Sequence, residues 1–179
     1  FRRAYLDQLG VKRLSDAGVN VYLIVLGIES QNAAHNERML HPARDAKLHS
    51  GIAAPNLSTP EGARLWRAAF EFLADWFSRA DDAHGRVVGY IIGNEVNVHW
   101  QWHNLGRMPR SAVVAEYERE MRLAHTAIRR TSSSARVYMS LTHFWTIDPD
   151  PDHWRSMPGR YFIEEFGRCA RTHGDFDWN

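Results

Sequence analysis

At 179 residues, 44% of them hydrophobic and 24% charged, with a formal net charge of +1, the chain has the make-up of an ordinary globular protein, one domain or part of one. Charges of both signs are interspersed, which gives no electrostatic reason to expect nucleic acid as a partner. No apolar run nears the roughly 18 residues that span a bilayer, so no membrane segment is expected.

The opening FRRAYLDQLG lacks the pattern of a signal peptide, and Cys169 stands alone, so no internal disulfide can form. These features favour neither a secreted nor a cytoplasmic location. Leu6, Leu9, Leu14 and Ala17 recur at near-helical spacing before Gly18, a residue suited to ending a helix in the left-handed conformation. The run VNVYLIVLGI that follows is short, apolar and rich in β-branched residues, as expected of a strand buried on both faces. Residues 28–58 form a long polar connection of the kind that carries function. Thr59 and Pro60 then mark a helix start, with Trp66, Phe70, Leu73 and Phe77 on one face. Residues 81–85 are a turn, and RVVGYIIGNEVN is a second strand whose apolar run stops at polar residues. A third helix is expected after Pro109, carrying Val114, Tyr117, Met121, Ala124 and Ile128 three and four apart, and RVYMSLTHFW follows as a third strand. Residues 160–172 read as a fourth helix, and the closing DFDWN as a fourth strand just beginning.

Helix and strand alternate along the whole chain with no hairpin signal of the Asn-Gly or Asp-Gly kind, which predicts right-handed crossovers and a parallel sheet in an α/β fold. An open nucleotide-binding sheet calls for a glycine-rich turn after an early strand, whereas the strands here end LGIES and IGNEVN. A closed (β/α)8 TIM barrel is therefore the expected architecture. Such a barrel takes about 250 residues, so residues 1–179 read as an internal fragment of a single barrel domain.

In a parallel barrel the carboxyl ends of the strands and the loops beyond them build the active site. That rule singles out Glu29, residues 94–103 and residues 143–154. A carboxyl group where a buried strand ends lies against low-dielectric walls that favour its protonated form. Glu95 holds that place, and a protonated carboxyl can donate to a leaving oxygen. The Asn94 amide beside it can bind a sugar hydroxyl.

The run GYIIGNEVN resembles the Asn-Glu motif that closes the fourth strand in the clan A retaining glycoside hydrolases, the superfamily of cellulases and β-galactosidases. The resemblance implies that Glu95 is the general acid/base and that Asn94 binds the hydroxyl beside the anomeric carbon. It makes the strands beginning near Val19, Arg86, Arg136 and Phe176 the third to sixth of eight. FDWN is similar to the start of the sixth strand in a poorly characterised bacterial group of such barrels. The function implied is O-glycoside hydrolysis by double displacement on an oligosaccharide or polysaccharide, without a cofactor. The nucleophilic glutamate of the family belongs to the seventh strand, so the fragment alone is expected to be inactive.

Seven tryptophans and ten histidines are many for this length. Sugar C–H faces pack on indole rings, so Trp100, Trp102, Trp145 and Trp154 are expected in rim loops, with Asn97, His99 and His143 as further substrate contacts. Glu29 is a substrate contact or a salt-bridge partner of Arg44. His99 and His103 have helical metal-ligand spacing but no third ligand by spacing, and no metal is expected. Asp148, Asp150 and Asp152 alternate like calcium ligands, yet proline fills the intervening positions. Two alternatives stand beside the glycosidase reading. One is a carbohydrate-binding barrel without catalysis, and the other a metal-dependent barrel hydrolase built on His99, His103 and His143.

Overall fold

A computed structural model describes residues 3–47 and 50–179. In chain order the elements are α1 (Arg3–Gln8), α2 (Val11–Asp16), β1 (Val21–Val25), β2 (Gly27–Ile28), α3 (Ala33–Met39), β3 (Ile52–Ala53) and α4 (Pro60–Phe77). Then come β4 (Val87–Ile92), a 3-10 turn (Val96–Val98), α5 (His99–Trp102), α6 (Arg110–Arg129), β5 (Arg136–Met139) and α7 (Gly159–Thr172).

The long helices follow from their sequence. Thr59 accepts a hydrogen bond from the Gly62 N–H and Pro60 opens α4, satisfying an end that would otherwise leave donors unpaired. Trp66, Phe70, Leu73 and Phe77 are all buried. On α6, Val114, Tyr117, Met121, Ala124 and Ile128 are each fully buried, as their spacing requires. Phe162 and Phe166 do the same for α7. Helix α6 packs between α4 and α7, so the three lie side by side.

The main sheet has the order β1-β4-β5, and both pairs are parallel. Each strand thus lies beside the one before it, with a long helix in each crossover. The fourth strand expected at the end of the chain is seen only in its first residue. Asn179 donates to Val137 O (3.2 Å) and its carbonyl accepts from Met139 N–H (2.7 Å), the slanted pattern of parallel pairing. The outcome is a mixed α/β fold with a three-stranded parallel sheet, without a complete barrel.

Four expectations are corrected. The opening helix is two helices, because Gly10 takes φ +72° and turns the chain between them, leaving Leu9 and Leu14 exposed. The capping role of Gly18 does appear: φ is +78° and Val19 N–H reaches back to Leu14 O (3.0 Å). The first strand is buried on one face only. Its alternate residues Tyr22 and Ile24 are 46% and 55% exposed, because the helices cover the other face of the sheet. On this bare face the Tyr22 and Tyr138 rings meet edge to face, 5.4 Å apart, and a Cβ on Gly89 would come within 2.6 Å of both. The run also breaks at Leu26, after which β2 pairs antiparallel with β3. That pair is joined by a long connection instead of a tight turn, so no hairpin dipeptide exists to be read. Finally, β5 ends at Met139 and not near Trp145.

Candidate active site

Strand β4 lies between β1 and β5, and its carboxyl end carries Gly93, Asn94 and Glu95. Gly93 extends the ladder by one bond, donating to Val25 O at 3.0 Å. Its φ of +73° favours glycine, and a Cβ there would lie 2.8 Å from Val96 Cγ1 and 3.3 Å from His103 Nδ1. Two residues on, Glu95 is left-handed as well, at φ 43° and ψ 45°. A non-glycine residue pays about 1 kcal/mol or more for this conformation.

The end of β5 holds that turn. Ser140 Oγ accepts from the Glu95 N–H (3.3 Å) and donates to Asn94 Oδ1 (3.4 Å). Its carbonyl accepts from the Val96 N–H at 3.0 Å, and Val98 N–H closes the turn on Glu95 O at 2.8 Å. Asn94 and Glu95 are half-buried. Among the described residues no arginine, lysine or histidine forms an ion pair with Glu95, although most other acids of the chain are paired.

Behind the strand end, the buried Tyr117 hydroxyl donates to Ile92 O at 2.6 Å. Burial drives its ionisation well above the usual tyrosine range. The His103 ring stands edge-on to Tyr117, with centroids 5.4 Å apart. His103 Nε2 lies 3.1 Å from Glu120 Oε2, yet neither atom has an aligned hydrogen bond.

Several residues expected at the substrate have other employment. Asn97 is fully buried: its Nδ2 donates to Thr142 Oγ1 (2.9 Å) and Met157 O (3.0 Å), and its Oδ1 accepts from Thr142 N–H (2.9 Å). The amide staples the loop after β5 to the loop after β4, which corrects its assignment to substrate binding. His99 is likewise fully buried, with Nε2 2.6 Å from Trp154 O and Nδ1 without a partner. It too ties loop to loop, and burial lowers its pKa to about 4. Trp100 and Trp154 meet edge to face at 4.6 Å, and Arg155 lies over both rings, 5.5 and 5.2 Å from their centroids. Arg107 also covers Trp154, at 5.5 Å. Trp102 is half-buried. Glu29 takes the second of its two expected roles, pairing with Arg44 at 3.2 Å.

The loop after β5 leaves two expected residues open to solvent. His143 is exposed, its ring 4.1 Å from Phe144, and Trp145 is 51% exposed. Trp145 rests on Gly159, where a Cβ would stand 3.1 Å from the indole. Asp148 accepts from Ser156 (2.6 Å), His153 and Arg110, so this one aspartate of the three anchors the loop. These bonds hold its carboxyl below the usual range despite the opposing effect of burial. The metal-dependent reading loses its ligands: His99 faces Trp154, His103 faces Glu120, and His143 faces solvent. No cluster of three or more metal-binding side chains occurs among the described residues.

Ser140, Thr142 and Tyr117 were not foreseen as site residues. Ser140 is the first residue beyond β5, so the rule that singled out Glu95 also selects it once the strand's end is placed correctly. A cavity of about 860 Å³ lies elsewhere. It is an apolar groove at the open edge of β1, lined by Leu6, Ile24, Met39, Trp66 and others, and includes neither Asn94 nor Glu95. The strand-end chemistry marks the better candidate, since the groove is lined mainly by apolar side chains and holds no carboxylate.

Among solved structures the chain is similar to endo-glycoceramidase II from Rhodococcus sp., determined as a complex with a cellobiose-like imidazole. The identity is 16% and the TM-score 0.53, with 99% of this chain covered. The chain spans 52% of that structure's length, and the likeness is one of fold. No curated protein matches the sequence. No helix among the described residues is long and apolar enough to cross a membrane. By a match that runs over residues 1–179, the chain belongs to the family of unknown function DUF5722.

Proposed function

We propose that this chain forms part of the catalytic (β/α)8 barrel of a retaining glycoside hydrolase, with Glu95 as its general acid/base. The observation that carries the reading is an acid with no ion pair among the described residues, half-buried at the carboxyl end of a central parallel strand, in a backbone conformation that its neighbours must hold. The consecutive, all-parallel strand order is that of successive strands in a barrel. Helices on one face and the bare face bearing Tyr22, Ile24 and Tyr138 are what an outer helix ring and an inner wall require. The fold of the glycosidase neighbour, about half of which is spanned, agrees with a longer polypeptide that completes the ring.

In the proposed reaction the Glu95 carboxyl protonates the glycosidic oxygen as its bond to the anomeric carbon breaks. A second carboxylate, supplied by the longer polypeptide about 5 to 5.5 Å away, attacks that carbon to form a glycosyl ester. Glu95, now ionised, takes a proton from water, which hydrolyses the ester with net retention. Asn94 hydrogen-bonds the hydroxyl beside the anomeric carbon. Exposed Trp145 and His143 on the loop after β5 offer an aromatic face and a polar edge to an oligosaccharide.

Azide tests this assignment. With Glu95→Ala in the full-length polypeptide and an activated aryl glycoside, azide should accelerate turnover and yield a glycosyl azide of the substrate's own anomeric configuration. An active wild type whose Glu95→Ala variant shows no azide acceleration and no such product contradicts the role.

A further inference from the structure

Glu95 holds a left-handed conformation without being glycine, so something outside the residue must hold it there. Among the described residues, the hydrogen bonds that tie Asn94, Glu95 and Val96 to a distant part of the chain run to Ser140. Ser140 meets the turn through its hydroxyl, which accepts the Glu95 N–H and donates to Asn94 Oδ1, and through its carbonyl, which accepts the Val96 N–H. The carbonyl contact survives any substitution, whereas the hydroxyl contacts depend on serine. Because the hydroxyl occupies Asn94 Oδ1, the Nδ2 group of that amide is left to donate to a ligand oxygen.

We propose that Ser140 is a positioning residue for the Asn94–Glu95 pair: its hydroxyl fixes the turn from which the Glu95 carboxyl projects and sets which end of the Asn94 amide faces the substrate. The inference rests on the glycosidase reading and deepens it. Loss of the hydroxyl frees Glu95 to leave the left-handed region, so the acid spends less time within reach of the leaving oxygen. The penalty therefore falls on substrates that need protonation. Removing one such bond corresponds to a loss of about tenfold in rate.

The test compares Ser140→Ala, Ser140→Thr and Thr142→Ala in the full-length polypeptide, with Glu95→Gln as reference. Thr142→Ala removes a hydroxyl from the same loop that serves Asn97 instead of Asn94. The probes are aryl glycosides bearing an unactivated phenol or 2,4-dinitrophenol. Ser140→Ala should lower kcat on the phenol glycoside about tenfold with KM changed less than about threefold, and change dinitrophenyl turnover less than about threefold. Ser140→Thr should restore most of the loss, and Thr142→Ala should show no preference between leaving groups. Equal losses on both probes, or the same selectivity from Thr142→Ala, overturn the positioning role. If Glu95→Gln itself fails to distinguish the leaving groups, the glycosidase reading falls and the proposal with it. If Glu95→Gln distinguishes them and Ser140→Ala does not, only the proposal fails. Amide exchange supplies a readout independent of turnover: in Ser140→Ala the Glu95 N–H should exchange about tenfold faster while Val96 N–H stays within about threefold. Unchanged Glu95 exchange also overturns it.

Discussion

Acid should weaken this protein through His99 before most of its carboxylates titrate. The imidazole is fully buried, and its Nε2 must carry the hydrogen donated to Trp154 O at 2.6 Å, which leaves Nδ1 bare and without a partner. Protonation would add a buried N–H with no acceptor and a charge with little solvation, so burial first, and the neighbouring His103 in smaller part, lowers the pKa from 6.5 to about 4. The unfolded chain takes up this proton near 6.5 and the folded chain only near 4. Between those values the unfolded state binds more protons. The stability gained by keeping His99 neutral is thus complete above about pH 6.5, falls as pH drops, and is gone below about 4. The whole effect is on the order of 3 kcal/mol. Urea unfolding at intervals from pH 7.5 to 4, followed by far-UV circular dichroism, measures it against His99→Gln, whose amide can still donate to Trp154 O but does not titrate. The wild type should lose roughly 3 kcal/mol more than the variant over this range. Parallel pH profiles, or a His99 imidazole that titrates near 6.5 by NMR, would refute the reasoning.

Other perturbations probe the supports of the same strand end. Tyr117→Phe leaves the Ile92 carbonyl without its buried 2.6 Å donor, and should cost about 2 kcal/mol, or roughly 6 °C in Tm, by thermal denaturation. Burial raises the Tyr117 pKa, so the stability gained from keeping its phenol neutral is present below about pH 10 and is lost as pH climbs beyond it. Tyr117→Phe should accordingly make the alkaline decline shallower. Gly106→Ala places a Cβ 1.8 Å from Ala43 O at a residue with φ +66°, and should cost at least about 2 kcal/mol in urea unfolding while speeding amide exchange at Asp45, which Asn104 otherwise clamps. Asn97→Ala should destabilise by about 2 to 3 kcal/mol, because Thr142 N–H and Met157 O lose their partners together; a change below about 0.5 kcal/mol in equilibrium unfolding would contradict its role as a staple.

The sequence made the long helices legible because their burial pattern and their caps agree. Trp66, Phe70, Leu73 and Phe77 repeat at helical spacing behind a Thr-Pro start, and no tertiary contact had to override that local preference. The first strand was harder. Tyr22 and Ile24 are as apolar as residues buried on two faces, and periodicity cannot report that one face of a sheet is bare. At the site, the position of Asn94 and Glu95 followed from where an apolar run stops. The fates of Asn97 and His99 did not, since a polar side chain in a rim loop serves equally well to contact a ligand or to bind another loop. The choice between them rests on Thr142, Met157 and Trp154, which lie more than forty residues away in the chain. Ser140 was hidden by a misplaced strand end: reading β5 as far as Trp145 buried within a strand the residue that opens the loop.

The dependence of turnover on leaving-group acidity in Glu95→Gln bears most directly on the acid/base role. In the full-length polypeptide the variant should lose about a hundredfold or more on a glycoside with an alkyl alcohol leaving group, and little in the glycosylation step with 2,4-dinitrophenol, whose departure needs no proton. Losses of the same size on both substrates would mean that Glu95 does not deliver the proton.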